Sequence, residues 1–244
     1  MFARVLGSLA VATAAIAVAW PAMAQVKCGD DLGPVDQDAE SRMSAPDFIR
    51  RVSAKEAAFA RALASFGYTV EATVQTLKGD TVDGEYRHTS TLSFDASGPK
   101  RETAEGSVNT LTRIKFADRD LDALRDAFVL TADRVSAGDI VYSGRQRMGE
   151  INASLFDVMP RSTTADIRGF EGRAWVRARD DAVMRLCGRS SSSPIAPMRF
   201  QVVRALVAEQ YWFPVSIRAD EDARIGKETV RVRVTVKYSD YKAR

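Results

Sequence analysis

The chain of 244 residues carries one histidine and two cysteines, so the side chains able to do chemistry can be weighed one at a time. His88 lies in Tyr86-Arg87-His88-Thr89-Ser90, a stretch with strand periodicity and no motif beside it. It reads as a surface or ligand-neutral residue rather than a general base. Cys187 has no second histidine and no evident activating partner, which a thiolate nucleophile needs. Asp180 and Asp181 are adjacent carboxylates, but Arg179-Asp180-Asp181-Ala182 has the composition of a hairpin turn. No serine stands in a Gly-x-Ser-x-Gly elbow, and no glycine-rich stretch opens a helix after a strand as phosphate and dinucleotide sites require. Two cysteines and one histidine do not supply a zinc site. These residues predict a protein that is not an enzyme and holds neither cofactor nor metal.

The cysteines matter in another way, because the first residues predict export. Arg4 is the only ionised side chain in residues 1–24, an apolar run from Val5 to Trp20 follows it, and Pro21 precedes Ala22-Met23-Ala24. That is a secretory signal peptide with cleavage near Ala24, leaving no transmembrane segment and placing the working chain in the periplasm. The run is shorter than the roughly 18 apolar residues of a membrane span. Gln25-Val26-Lys27 before Cys28 does not resemble a lipobox. In an oxidising compartment Cys28 and Cys187 become a candidate disulfide, against the alternative of two free thiols. Asn152-Ala153-Ser154 matches a glycosylation acceptor, but it falls in a strand-like segment behind a bacterial-looking leader.

Without Arg4 the exported chain has 34 basic and 32 acidic residues. Nucleic-acid binding needs a concentrated excess of Lys and Arg, so that balance argues against such a partner. Residues 25–46, with Gly29, Gly33, Pro34 and Pro46, read as an irregular lead-in, and 47–244 as a single domain. Phe48, Val52, Phe59, Leu63 and Phe66 recur at helical spacing, predicting a helix over 47–66 that Gly67 ends. Ser53 and Glu56 also fit a capping box, so a start or a bend at Ser53 is the alternative. A short second helix is predicted over 118–127, with Asp118 as its N-cap. Elsewhere the period is two. Strands are expected at 68–77, 85–94, 100–108, 110–116, 139–147, 151–159, 168–178, 182–188, 199–209, 211–218 and 229–238.

Short strands joined by close turns pair antiparallel, and about eleven of them curl or split rather than stay flat. The fold class is therefore mainly β (α+β), an open, curled antiparallel sheet with one or two helices. Val230, Val232, Val234 and Val236 form an apolar face opposite Arg231, Arg233 and Lys237. Tyr211, Phe213, Val215 and Ile217 alternate with Trp212, Pro214, Ser216 and Arg218 in the same way. Ala174 and Val176 oppose Arg173, Trp175 and Arg177, which leaves Trp175 either covered by guanidinium groups or marking a contact surface.

The runs Gly169-Phe170-Glu171-Gly172-Arg173-Ala174-Trp175-Val176, Tyr211-Trp212-Phe213-Pro214 with Arg218-Ala219-Asp220, and Tyr238-Ser239-Asp240-Tyr241-Lys242 resemble an uncharacterised branch of exported bacterial proteins. Those proteins are similar to the outer-membrane lipoprotein-sorting proteins of the LolA/LolB type. The hairpin Val82-Asp83-Gly84-Glu85-Tyr86-Arg87 and Phe128-Val129-Leu130-Thr131 fit the same set, so the resemblance covers about residues 47–242. It implies an unclosed β-barrel of about eleven antiparallel strands, with helices covering a hydrophobic cavity that accepts acyl chains. The Ser190 to Pro197 loop and the Cys28, Cys187 pair are departures from the lipoprotein carriers.

The expected function is a periplasmic, non-enzymatic binding protein, a possible carrier, holding a lipid or lipoprotein acyl chain in that cavity. Leu92, Phe94, Tyr211, Phe213, Val215, Ile217, Val232 and Val234 would line it. The same alternation also describes a filled core. The alternative function is an envelope sensor or interaction domain contacting another periplasmic or outer-membrane protein through Trp175 and Trp212.

Overall fold

The computed structural model describes residues 32–161, 169–195 and 198–244. The leader, its cleavage site and Cys28 lie outside the described residues. The strands are β1 (Val35–Asp36), β2 (Phe66–Lys78), β3 (Thr81–Asp95), β4 (Gly98–Thr103), β5 (Val108–Asn109), β6 (Gly138–Met148), β7 (Ile151–Pro160), β8 (Phe170–Arg177), β9 (Val183–Ser190), β10 (Phe200–Val207), β11 (Tyr211–Ile225) and β12 (Glu228–Ala243). All pairings are antiparallel, in the order β1-β6-β7-β8-β9-β10-β11-β12-β2-β3-β4, with β5 on β3. The path begins on β1 and ends on β4, which do not pair, so the sheet curls without closing. The chain is an unclosed antiparallel β-barrel with covering helices.

Register explains the sidedness. Val230, Val232, Val234 and Val236 stand opposite Ala223, Glu221, Ala219 and Ile217 on one side of β12, and opposite residues of β2 such as Thr76, Val74 and Ala72 on the other. Directly paired residues point to the same face, so the four valines with Ile217, Ala219, Ala223, Ala72 and Val74 build one concave apolar wall. On β11 the strict alternation expected from Tyr211 to Ile217 is broken. Pro214 pairs with Arg204 and Ser216 with Val203, leaving Val215 as the extra residue of a bulge. Phe213 and Ile217, on either side of the bulge, are both packed in the core. Gly172 has a φ of +147°, and a Cβ there would sit 2.2 Å from the Cys187 carbonyl oxygen; only glycine lets β8 and β9 approach so closely.

The wall is covered by three helical pieces in succession, α1 (Ala45–Asp47), a π-helical turn (Phe48–Val52) and α2 (Ser53–Leu63). Ser44 caps this strap. Its Oγ accepts the Asp47 backbone N–H at 3.2 Å, and Pro46 fits the first turn, where no donor is needed. Gly67 does not end the helix as expected, since it lies inside β2, where it permits close approach to the Leu92 carbonyl. The helix α3 (Asp118–Asp126) falls where predicted, except that Ala117 is its N-cap and the Asp120 carboxylate accepts the Ala117 N–H at 2.8 Å. A further short helix, α4 (Ala132–Ser136), adds to those the periodicity predicts.

The predicted strand over 110–116 is not one. The Asn109 side chain donates to the Phe116 carbonyl at 3.0 Å and accepts the Leu111 N–H at 3.3 Å, looping the chain off the sheet edge. Ile114 and Phe116 drop into the core instead, beside Leu121, Leu124, Phe128 and Leu130. The lead-in is also more than irregular coil. Leu32 and Val35 pack on a second apolar cluster, on the convex side of the sheet, built from Ala153, Leu155, Trp175, Met184 and Cys187.

Candidate functional site

The strap crosses the open side of the barrel, and the residues that hold it define the site. Phe48, Val52, Phe59 and Leu63 face the concave wall, and Glu56 shares their stripe, four residues after Val52 and three before Phe59. On β10 the inward series Phe200, Val202 is continued at Arg204. Two charges thus occupy apolar positions, at 1% exposure for Glu56 and 5% for Arg204. A charge buried this deeply needs a partner. Arg204 meets Glu56 in a two-pronged ion pair, Nη1 to Oε1 at 2.6 Å and Nη2 to Oε2 at 2.9 Å. Arg204 Nη2 also donates to the Phe128 carbonyl at 3.0 Å, and Glu56 Oε2 accepts the Leu130 N–H at 3.0 Å. The guanidinium carbon lies 4.4 Å from the Phe59 ring centre. One polar node therefore ties strap, sheet and the 128–130 segment together. The sequence carries the signal, an acid inside a helical apolar stripe and an arginine on an inward strand position, but no spacing along the chain reveals a pairing across 148 residues.

Outer ties are weaker. Arg51 on the strap donates through Nε to Asp181 at 2.9 Å, and Asp180 of the same turn pairs with Arg177. Asp181 has a φ of 61°, as the expected hairpin turn between β8 and β9 requires. The hydrogen bond from Arg177 holds the Asp180 carboxyl below the ordinary aspartate value of 3.8. A depressed carboxyl adds stability above that value and loses it as the pH falls through the folded-state value. Urea unfolding of wild type and Asp180→Asn followed from about pH 5 to pH 2 should show the larger loss of stability in wild type, with the difference appearing below 3.8.

Two clefts flank α2, with Phe59 in the wall of both. One, of about 450 Å³, lies between α2 and α3 and is lined by Leu63, Leu92 and Val129, with Arg101, Arg125 and Arg134 at its polar side. The other, of about 520 Å³, lies between α2 and the β8–β9 and β10–β11 turns and takes in Tyr211, Trp212 and Val183. Both fall in the size range of small-ligand pockets.

The candidate lining residues divide accordingly. Leu92 and Tyr211 reach the clefts. Phe213, Ile217, Val232 and Val234 are packed in the core, so they face a filled interior while the strap is seated. Phe94 is half-buried near the open end of β3 under Arg244, whose guanidinium carbon is 5.6 Å from the ring centre, and half-buried Val215 lies at the bulge.

The tryptophans separate. Trp175 is 0% exposed, its Nε1 donates to Gln146 Oε1 at 2.6 Å, and Arg185 covers its ring at 5.6 Å. Guanidinium cover is what the structure shows, and Trp175 offers a partner no surface. The reason is the N-terminal segment: Gln146, which binds Trp175, also donates to the Gly33 carbonyl and pairs with Val35. Trp212 is half-buried, with the Arg177 guanidinium 5.0 Å from its ring centre.

His88 is not at the surface. It is 2% exposed on the concave side, stacked on Tyr86, with Nδ1 at 3.4 Å from both Ser107 Oγ and Asp118 Oδ1. Serine and aspartate address the same ring nitrogen, so the imidazole cannot relay a proton between them, and the arrangement is no nucleophile triad. Among the described residues no cluster of His, Cys, Asp and Glu is arranged to hold a metal ion, and no helix is long and apolar enough to cross a membrane. Cys187 is not a free thiol.

No family model matches the sequence, and no curated protein does. Among solved structures the chain is similar to a LolA superfamily protein of Nitrosomonas europaea, at 10% identity over 83% of this chain and 94% of that one, with a TM-score of 0.37. It is similar to an outer membrane lipoprotein-sorting protein domain of Vibrio parahaemolyticus, at 10% identity over 82% and 94%, with a TM-score of 0.40. A DUF1329 family protein of Desulfovibrio piger matches at 11% identity over 80% and 92%, with a TM-score of 0.36.

Proposed function

We propose that this chain is an exported, non-enzymatic binding protein that takes a lipid or lipoprotein acyl chain beneath the strap in the periplasm. The observation that carries the reading is the strap itself, an amphipathic helix lying between two clefts over the concave apolar wall of an unclosed barrel. A buried ion pair contributes little net stability over its hydrated partners. Glu56 and Arg204 can therefore separate into water at modest cost, whereas an all-apolar seam would resist opening. With α2 displaced, Phe213, Ile217, Val232 and Val234 become the lining of an acyl-sized slot. The envelope-partner alternative retains Trp212 alone. Mass spectrometry of chain purified from a periplasm under native and extracting conditions should detect bound lipid, and a fluorescent fatty acid should bind the stripped protein. Absence of both signals would overturn the reading.

Export also makes a Cys28–Cys187 bridge part of the proposal. Leu32, four residues beyond Cys28, packs on the cluster that contains Cys187, so the intervening chain is short enough to reach. Non-reducing peptide mapping should recover the two cysteines joined, and reduction should lower the unfolding free energy by about 3 kcal/mol. Two titratable thiols in the unreduced protein would refute the bridge.

A further inference from the structure

We propose that the cleft between α2 and α3 selects amphiphiles with an anionic head group, an inference that rests on the acyl-chain reading above and extends it. One wall is apolar, from Phe59, Leu63, Leu92 and Val129, and the opposite rim carries three guanidinium groups and two carboxylates. Both carboxylates are committed. Asp122 accepts two bonds from Arg101, at 3.2 and 2.9 Å, and one from Arg125 at 3.0 Å, while Asp126 accepts Arg125 Nε at 2.8 Å. Arg134 is different. Its Nη1 donates to the Asp126 and Val129 backbone carbonyls, at 3.0 Å for the latter, and among the described residues it pairs with no carboxylate.

Among the described residues the rim thus keeps one guanidinium that carbonyl dipoles hold in place and that no carboxylate bonds, with neighbouring Asp133 acting on it only through space. Such a fixed guanidinium favours a carboxylate or phosphate acceptor, since charge-assisted hydrogen bonds are the strong ones. The apolar wall begins directly beside it and leads under Phe59, so head and tail of one molecule meet complementary surfaces. A neutral head, with no anionic oxygen to accept from Arg134, forgoes that charge-assisted bond.

The test titrates stripped protein with dodecyl phosphate, with the neutral monoester of lauric acid and glycerol, and with inorganic phosphate. Dodecyl phosphate should bind about tenfold tighter than the neutral ester at low ionic strength, and added salt should narrow the gap. Arg134→Gln should abolish the preference, bringing the Kd of dodecyl phosphate to that of the neutral ester in the same variant. Ala60→Glu, an exposed helical position in the same cleft, should do likewise without touching the Arg134 hydrogen bonds, so the test survives if Arg134→Gln misfolds. Equal affinities of the two twelve-carbon ligands, or a preference surviving Ala60→Glu, would overturn the proposal. Inorganic phosphate binding as tightly as dodecyl phosphate would do so too, by showing a plain anion site. If neither amphiphile binds, the acyl-chain reading itself has failed.

Discussion

Glu56→Leu is expected to destabilise the fold by about 3–5 kcal/mol, because it strands the Arg204 charge in the core. The carboxylate answers two prongs of Arg204 and the Leu130 N–H, so its removal leaves three donors facing apolar side chains. Glu56→Gln keeps an acceptor and should cost less. The double variant Glu56→Leu, Arg204→Met removes both charges and should recover part of the loss. Recovery stops short of wild type because the Leu130 N–H and the Phe128 carbonyl each lose a partner, at about 1–3 kcal/mol for an unsatisfied buried group. Urea denaturation of the three variants checks the series. A single variant as stable as wild type would mean the pair is not buried in solution. If the double variant also binds a fluorescent fatty acid more slowly than wild type, the charges serve opening, since an apolar replacement seals the strap more firmly.

Trp175→Ala should cost about 3–5 kcal/mol, the range for removing a fully buried large aromatic. The cavity would open in the convex-side cluster beneath Leu32 and Val35, and Gln146 Oε1 would lose its donor. Trp175→Phe refills much of the volume but still orphans that oxygen, so about 1–3 kcal/mol remains. Trp212→Ala removes a half-buried ring and its stacking with Arg177, and should cost less than Trp175→Ala. Thermal unfolding of the three variants orders them. The contrast bears on function: if Trp175→Ala abolished an envelope-protein cross-link without loss of stability, the burial of Trp175 would be refuted along with its exclusion from a contact surface.

Much of the framework is legible in the amino-acid sequence. The period-two runs locate β2, β3, β6 to β10 and β12 to within a few residues, because strands buried on one face must alternate. The Val230 to Val236 face and the Arg231, Arg233, Lys237 face separate as the alternation predicts. The misses have local causes. Residues 110–116 have strand-like composition, yet an Asn109 side chain competing for backbone groups turns them off the sheet. Gly67 looks like a helix stop, yet it serves a close strand contact. His88 sits among polar residues in the sequence, and only register with Ala72 turns it inward.

The site divides along the same line. By itself the sequence determined the amphipathic stripe of the strap, the apolar wall it covers and the absence of the usual catalytic motifs, because periodicity and composition are properties of neighbours along the chain. Tertiary structure alone decided that the wall is filled while the strap is seated, and that Trp175 is covered by residues from the N-terminal lead-in. It alone decided that Glu56 and Arg204 are one ion pair and that Arg134 faces a cleft bonded, among the described residues, to carbonyls and to no carboxylate. Those facts depend on which distant segments share a space, and charge pairing and burial are set by that proximity rather than by spacing along the chain.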